Sequence, residues 1–259
     1  METAGRFRKR LLTGTETLFG SFVKTTAAHP VEILGGVGFD FLVIDEEHAP
    51  FDRGSTDIAL LAARAAGVAA VVRVASNTPD RLLAVLDDGA AGVLAPHISS
   101  EAMARDLVAA CRYSGRRGFS NSPRAGAYGA RSVWQHVDAS DGEVAVIAMI
   151  EDPQAVDCID AIAAVEGLDC LFIGRGDLSV ALNDREPGAP RVRAATDRVI
   201  EAARRSGTAV CLLAANAAEA AEFRSRGVNA FVISSDQGFM RSAATAALAD
   251  FRVAVGPAI

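Results

Sequence analysis

The 259-residue sequence contains no apolar run of about 18 residues, the length that a membrane-spanning helix requires. No apolar segment follows the basic cluster Arg6–Arg10, so the N-terminus does not read as a secretion signal. Basic residues are scattered elsewhere and the net charge is −6, which argues against a nucleic-acid surface. We therefore expect a cytoplasmic protein without nucleic-acid or membrane partners. Residues 1–14 are interpreted as a solvated leader within a single domain, 1–259.

Cysteine is also scarce. The four cysteines stand singly in apolar surroundings, with no C-x-x-C motif and no nearby histidine pair. This pattern excludes a recognisable disulfide framework or zinc site and predicts reduced, buried thiols.

Four octapeptides repeat one pattern: "GFDFLVID", "GAAGVLAP", "GLDCLFIG" and "GVNAFVIS". Each has a glycine, a short spacer and a mostly apolar run. The glycine is typical of a helix C-terminus, and the apolar run is typical of a strand buried on both faces. A helix is therefore predicted to end, and a strand to begin, at each repeat.

Four further strands are predicted at 17–23, 69–74, 144–151 and 208–214, with helical segments between the strands. Eight alternating units favour an α/β fold, a closed (β/α)8 TIM barrel, over an open doubly wound sheet. No glycine-rich phosphate motif follows the first strand, which weakens the dinucleotide-binding alternative.

Polar residues follow most of these strands at their carboxyl ends, where barrel enzymes carry their chemistry. They are Asp45, His48, Arg73, His97, Glu151, Asp152, Asp177 and the segment "SSD" at 234–236. One polar strand end is uninformative by itself, because the sequence of any strand becomes polar where it leaves the core. The repetition across several strands predicts one shared pocket.

Glu151 and Asp177 follow consecutive strands, and two neighbouring carboxylates suit Mg²⁺ or Mn²⁺ with room for a chelating substrate. A buried Arg73 requires an anion, either a bound carboxylate or enolate or, structurally, Glu151 itself. Asp45 could fix the tautomer of the His48 ring and make it a base, or His48 could merely cap a loop. Glu46 and Glu47 are expected to shape the loop that follows this strand or the local electrostatic field.

Several segments resemble the HpcH/HpaI class II aldolases over nearly the whole chain. The matching segments are "FDFLVIDEEHAP", "AVVRV", "LDDGAAGVLAP", "RYSGRRGFS", "IEDPQAVDCIDAIAAVEGLDCLFIGRGDLSVAL" and "AFVISSDQGFMRSA". The segments "RAGAYG" and "SSDQGFMRSA" are most similar to the branch acting on 2-dehydro-3-deoxyglucarate or 4-hydroxy-2-oxoheptanedioate.

The resemblance implies a phosphoenolpyruvate/pyruvate-type barrel that reversibly cleaves a 4-hydroxy-2-keto acid into pyruvate, or a related 2-keto acid, and an aldehyde. It implies a divalent metal, Mg²⁺ or Mn²⁺ with Co²⁺ also possible, held by Glu151 and Asp177, and no organic cofactor. Arg73 would stabilise the enolate, and His48 with Asp45 would relay protons. A homo-oligomer is implied, a hexamer built as a trimer of dimers or a trimer, with a swapped C-terminal helix.

The predicted substrate pocket contains Arg73 and Asp177 together with Met149, Gly174, Arg175, Gly176 and Leu213. Met149 stands where many relatives carry glutamine. Arg175 replaces the usual proline, and it could bind an acidic acceptor or face solvent. The segment "NDREPGAP" shortens the usual lid. His97 and Arg124 are weaker candidates, Arg124 because it lies in a Gly/Ser-rich loop that could contact an acceptor or a neighbouring subunit or be ordinary surface.

The chain has only two lysines, and Lys24, the one near a strand end, is interpreted as a surface residue. This argues against an imine-forming aldolase. Two alternatives remain open. The same enolate could serve an oxaloacetate decarboxylase or a bond-forming synthase, and Met149 with Arg175 could mark a catalytically weakened, metal-binding relative.

Overall fold

The computed structural model describes residues 2–186 and 189–256 and contains one closed barrel of eight parallel strands in chain order. This confirms the predicted (β/α)8 barrel. The strands are β1 (Leu18–Val23), β2 (Phe41–Asp45), β3 (Ala69–Arg73), β4 (Gly92–Ala95), β5 (Ala145–Ile150), β6 (Cys170–Ile173), β7 (Ala209–Leu213) and β8 (Ala230–Ser235).

Helices surround the barrel and precede its first strand. They are α1 (Glu2–Thr13), α2 (Ala28–Val37), α3 (Arg53–Ala66), α4 (Pro79–Asp87), α5 (Glu101–Cys111), α6 (Val133–Glu143), α7 (Pro153–Asp157), α8 (Ile159–Ala163), α9 (Arg175–Ala181), α10 (Pro190–Ser206), α11 (Ala217–Ser225) and α12 (Asp236–Val255). A short 3₁₀ turn, Arg124–Gly126, lies between α5 and α6. The described part of the chain contains no helix long and apolar enough to cross a membrane.

The four glycines that open the repeated octapeptides all have a positive φ. They are Gly38, Gly89, Gly167 and Gly227, with φ between 87° and 104°. Side chains other than glycine rarely adopt this backbone conformation, which ends a helix and redirects the chain into the next strand. The repeat read from the sequence is therefore a repeated helix-to-strand turn.

Each strand divides its side chains between two cores, because successive side chains point to opposite faces. On β2, Leu42 and Ile44 pack outward against helices, whereas Phe41 and Val43 point into the barrel. The next inward position is Asp45. The same alternation places polar or reactive groups at the carboxyl end of several strands, facing the barrel axis.

Helix α1 closes the opposite, N-terminal end of the barrel, so the prediction of a solvated leader is wrong. Phe7 and Leu11 are only 3% and 1% exposed and belong to the interior core. The Phe7 ring lies 5.2 Å from the ring of Phe41. Arg8 donates to the buried carboxylate of Asp169 at 2.8 Å. The apolar face of α1 covers an interior that water would otherwise reach.

The last helix, α12, contrasts with α1 because nearly all of it is exposed. Of its described side chains, only Asp236 is buried. Large apolar side chains face outward along its length: Met240, Leu248, Phe251, Val253 and Val255.

Candidate active site

A cavity of about 430 Å³ opens among residues at the carboxyl ends of the strands. All the residues predicted to bind substrate line it: Arg73, Met149, Gly174, Arg175, Gly176, Asp177 and Leu213. Phe22, Phe172, Ala189 and Val192 contribute apolar surface. The volume is within the range of small-molecule sites. Within the shortened lid segment 183–190, Ala189 reaches this cavity, and residues 187 and 188 lie outside the described residues.

Glu151, directly after β5, is a carboxylate enclosed by backbone. It is 2% exposed, and its Oε1 accepts the backbone N–H of His97 at 2.8 Å. A Cβ at position 174 would lie 2.6 Å from the Cβ of Glu151, so glycine there makes room for this side chain. Burial raises the pKa of Glu151 to about 7, and the charges of Asp177 and Glu47 add to that rise.

The donor set suits a hard divalent cation held by two protein carboxylates. No group of three or more His, Cys, Asp or Glu side chains that could hold a metal occurs among the described residues. Glu151 is a buried carboxylate with a raised pKa, to which the charge of Asp177 on the cavity wall contributes, and its recorded ion-pair contact is with the His97 ring, whose Nδ1 lies 3.5 Å from Oε1. Two carboxylates and free positions for water or substrate oxygens match magnesium or manganese chemistry.

Arg73 is held by Asp45 and Glu47, so the alternative of a structural pair between Arg73 and Glu151 is wrong. Its Nε and Nη2 donate to the two Asp45 oxygens at 2.9 and 2.7 Å. Its Nη1 lies 3.2 Å from Glu47 Oε2, in a contact too misaligned to be a hydrogen bond. Asp45 and Arg73 are paired positions on adjacent strands, whereas Glu151 follows β5. The register of β2 against β3 therefore determines which carboxylate pairs with Arg73.

Lys24 also reaches the site, contrary to its interpretation as a surface residue. Its Nζ lies 2.7 Å from Asp45 Oδ2, and its side chain is largely buried. Leu18 and Phe22 point inward on β1, and Lys24 follows at the same alternation. Asp236 holds this turn by accepting the backbone N–H groups of Lys24 and Thr25. The two-residue period could have identified Lys24 from sequence.

Asp45 is fully buried between these two cations. Burial alone would raise its pKa, but hydrogen bonds from Arg73 and Lys24 outweigh burial and lower the pKa to about 2. Asp45 is therefore an anchor for positive charge at the base of the site.

The His48 ring does not contact Asp45, so the predicted tautomer-fixing pair is wrong. Asp45 Oδ1 accepts the backbone N–H groups of His48 and Glu47 instead. The His48 ring is exposed, with Nε2 3.8 Å from Glu47 Oε2.

Glu47 lies between the cations and the histidines. Besides Arg73 and His48, it approaches His97, whose Nε2 is 3.9 Å from Glu47 Oε1. Its Oε2 is buried without a hydrogen-bond partner among the described residues. Glu46, in contrast, accepts from Thr56 at 2.7 Å and pairs with Arg81 at 2.6 Å. Glu46 therefore fixes the loop, whereas Glu47 lies among the site residues Arg73, His48 and His97.

His97 has φ of 55°, a conformation that is uncommon for residues other than glycine. This backbone directs its N–H to Glu151, and its Nδ1 lies 3.2 Å from Asp152 Oδ2. Partial burial lowers the pKa of His97, but the surrounding carboxylates outweigh it and raise the pKa above its ordinary value. Strain of this kind concentrates at functional sites.

Arg175 neither faces solvent freely nor offers an unpaired charge to an acceptor. Its Nη1 and Nη2 pair with Glu219 of α11 at 2.6 and 2.8 Å, and Nη2 also donates to the carbonyl of Leu213 at 2.7 Å. These hydrogen bonds lower the pKa of Glu219. Arg175 thus joins the loops after β6 and β7 at the cavity rim.

Arg124 lies away from this site. Its Nη1 donates to the carbonyl of Asp88 and pairs with Asp57, and its side chain covers Gly89. Gly89 precedes β4, so Arg124 sits at the N-terminal end of the barrel, and the prediction of an acceptor contact within one chain is wrong. The loop 118–130 leads back toward the start of a strand, not away from its end.

The family model described as HpcH/HpaI aldolase/citrate lyase matches residues 18–243. The 5-keto-4-deoxy-D-glucarate aldolase of Shigella boydii is 35% identical over 245 residues, covering 93% of this chain and 94% of the relative. The protein of that name from Escherichia coli O6:H1 has the same identity and coverage.

Solved structures agree in fold. An HpcH/HpaI aldolase/citrate lyase family protein from Burkholderia cenocepacia is 32% identical with a TM-score of 0.89, covering 96% of this chain and 99% of that protein. The citrate synthase SbnG is 30% identical with a TM-score of 0.83, covering 95% and 96%. Macrophomate synthase is 25% identical with a TM-score of 0.84, covering 96% and 89%.

These matches span nearly the whole barrel and include every strand that contributes to the cavity. The chain belongs to the HpcH/HpaI aldolase/citrate lyase family and is a carbon–carbon lyase of the aldolase type.

Proposed function

We propose that this protein is a metal-dependent class II aldolase that cleaves a 4-hydroxy-2-keto acid reversibly into pyruvate, or a related 2-keto acid, and an aldehyde. The observation that carries the proposal is the buried Glu151 carboxylate, which packs against Gly174 at the wall of the cavity that Arg73 and Asp177 line, and whose pKa is raised in part by the charge of Asp177. Negative donors for a metal and a cation for an enolate therefore lie at or next to one cavity.

The bond changes define what the residues must do. A base removes the proton of the C4 hydroxyl, and the C3–C4 bond breaks. Its electron pair passes to the 2-keto group as the pyruvate enolate, and C3 then takes a proton. When bound by Glu151 and Asp177, Mg²⁺, Mn²⁺ or Co²⁺ supplies Lewis-acid polarisation of the keto oxygen.

Arg73 stabilises the negative charge of the enolate. Asp45 occupies Nε and Nη2, and Nη1 has only the misaligned contact with Glu47. A cation fixed in a largely buried position needs little reorganisation when the enolate forms. Asp45 holds it there, and Lys24 pairs with the same carboxylate.

We assign the proton transfers to His48, acting through water. Its ring is accessible, and Glu47 lies close enough to stabilise the imidazolium after proton uptake. His97 lies on the other side of Glu47, beside Glu151. Glu47, rather than Asp45, is the carboxylate that supports the histidines.

The test is pyruvate release from a panel of 4-hydroxy-2-keto acids, including 5-keto-4-deoxy-D-glucarate, with Mg²⁺, Mn²⁺ or Co²⁺ and after chelation. Glu151→Gln should lower kcat/KM by more than about 100-fold, the loss typical of removing one charge-stabilising group. Calorimetry should show weakened Mn²⁺ binding. The matched control is Glu101→Gln, which breaks only an exposed pair with Arg105. Turnover that survives complete chelation or the Glu151 substitution contradicts the proposal.

A second candidate is a synthase or an oxaloacetate decarboxylase that uses the same enolate. Two similar solved structures are named citrate synthase and macrophomate synthase, which favours keeping this candidate. Oxaloacetate added to the same assay distinguishes them. Carbon dioxide release that exceeds pyruvate release from every 4-hydroxy-2-keto acid would support the decarboxylase.

We also propose a homo-oligomer, a hexamer or trimer, in which α12 packs on a neighbouring barrel. The support is the row of exposed apolar side chains along α12, including Phe251, which is 72% exposed. Exposed apolar patches of this kind mark contact surfaces.

A further inference from the structure

The turn that carries Asp177 has few anchors of its own. Gly174 fixes its start, because the Gly174 N–H donates to the carbonyl of Ile150 at 3.0 Å, and the buried Leu178 fixes its end. Between them, Gly176 has nothing within 4 Å of its Cβ position and has the conformational freedom of glycine. Asp177 has no hydrogen-bond or ion-pair partner among the described residues of this chain. The position of its carboxylate therefore depends on what holds the turn.

Arg175 supplies a link between this turn and a neighbouring helix. Its Nη1 and Nη2 donate to the two carboxylate oxygens of Glu219 at 2.6 and 2.8 Å, and Nη2 also donates to the carbonyl of Leu213. The guanidinium carbon lies 5.3 Å from the ring centroid of the buried Phe223. No other side chain of the described turn 174–177 makes a hydrogen bond. A two-point pair of this kind fixes orientation as well as distance.

The acceptor of this link is itself fixed. Glu219 is the third residue of α11, and its Oε2 also accepts the backbone N–H of Ala215 at 2.7 Å. The Asn216 side chain caps the same helix by accepting the N–H of Glu219 at 3.0 Å. Arg175 is therefore tied to a capped helix start, and Asp177 follows it by two residues in the chain.

We infer that Arg175 is a positioning residue, which holds the Asp177 carboxylate in place for the metal through its link to Glu219. The inference rests on the proposed function, in which Glu151 and Asp177 bind the metal. Groups that orient a metal ligand without touching the metal typically contribute about 10- to 100-fold to metal affinity. Breaking the link from either side should therefore weaken metal binding.

The test measures Mn²⁺ affinity without substrate, from the electron paramagnetic resonance signal of free Mn²⁺. Arg175→Ala and Glu219→Gln should each raise the dissociation constant by about 10-fold. An electrostatic effect alone would move the two variants in opposite directions. Arg175→Ala leaves the charge of Glu219 uncompensated, which attracts the cation, whereas Glu219→Gln leaves the charge of Arg175 uncompensated, which repels it. Weaker binding in both variants therefore identifies positioning.

Arg175→Pro separates the stiffness of the turn from the side chain that provides it. Residue 175 is the first of α9, where the fixed φ of proline suits a helix start. Gly174 has φ −83° and ψ 73°, outside the helical region that a following proline disfavours. The proline variant should bind Mn²⁺ more tightly than Arg175→Ala. The matched control is Glu222→Gln on α11, which breaks only the exposed pair with Arg193 and should leave the affinity unchanged.

Asp177→Asn distinguishes a failure of the metal site from a failure of the link. If Asp177→Asn does not weaken Mn²⁺ binding, the proposed metal site and this inference fail together. If it does, this inference alone is overturned by unchanged affinity or by opposite shifts in folded Arg175→Ala and Glu219→Gln, or by a proline variant that binds no more tightly than the alanine variant. Urea titration establishes folding. Should Arg175→Ala not fold, Arg175→Met keeps an apolar stem against Phe223 and takes its place in each comparison.

Discussion

Replacing Asp45 with asparagine removes the buried negative charge that holds Arg73 and Lys24. Asparagine keeps the shape and a carbonyl that can accept the backbone N–H of His48, so the loss is mainly electrostatic. The pKa of Asp45 falls from 3.8 to about 2 in the folded protein. This corresponds to about 2 kcal/mol of unfolding free energy at neutral pH.

Removing one partner of a buried pair generally costs more, about 3–5 kcal/mol. Here Glu47 stays within 3.2 Å of Arg73 and compensates part of the charge. We therefore expect Asp45→Asn to lower the free energy of unfolding by about 2–3 kcal/mol at pH 7. Urea titration at one protein concentration measures this difference. The control, Asp88→Asn, loses a pair with Arg53, whose side chain is 64% exposed, and should cost under about 1 kcal/mol.

The difference should also depend on pH with a definite sign. Because the folded pKa of Asp45 lies below the unfolded value, its stabilisation is present above pH 3.8 and is lost as the pH falls toward 2. The gap between the unmodified protein and Asp45→Asn should be constant from about pH 7 to 5 and narrow below about pH 4. Equal costs for the two asparagine variants, or a gap that does not narrow in acid, would refute this reasoning.

Two further predictions concern the ends of the chain. Phe7→Ala should lower the free energy of unfolding by about 3 kcal/mol because it opens a cavity at the closed end of the barrel. Leu12→Ala, on the exposed face of α1 at 45% exposure, should change the free energy of unfolding by under about 1 kcal/mol. Urea titration compares the two variants, and equal costs would favour a solvated leader. Phe251→Glu should produce a smaller assembly in sedimentation experiments while Leu12→Glu does not, and an unchanged mass for the Phe251 variant would contradict the role proposed for α12.

Much of the site follows from sequence because strand ends in a parallel barrel converge. The order of strands places Arg73, Glu151 and Asp177 at one end of the barrel, where Arg73 and Asp177 line the cavity and Glu151 packs against Gly174 of its wall. Side-chain partners do not follow so directly. The sequence left Glu151 open as an alternative partner of Arg73 and suggested Asp45 for the His48 ring, but strand register pairs Asp45 with Arg73, and Glu47 lies nearest the His48 ring.

The roles of other residues were not identified from the sequence because their partners lie on other segments of the chain. Lys24 pairs with Asp45 of the adjacent strand, and Arg175 pairs with Glu219 44 residues away. Arg124 belongs to the opposite end of the barrel although its loop has the composition of an active-site loop. The composition of a loop does not show at which end of the barrel the loop lies. That depends on whether the loop follows the end of a strand or leads to the start of one.

The sequence by itself determined the eight strands, their parallel order and the end of the barrel that carries the chemistry. Local backbone preferences and the apolar content of short segments suffice for these, as the four positive-φ glycines show. Only the tertiary structure decided the charge partners of Arg73 and Arg175, the burial of Phe7 and the exposure of α12. Those outcomes depend on strand register and barrel closure, which bring residues together across long separations in the chain.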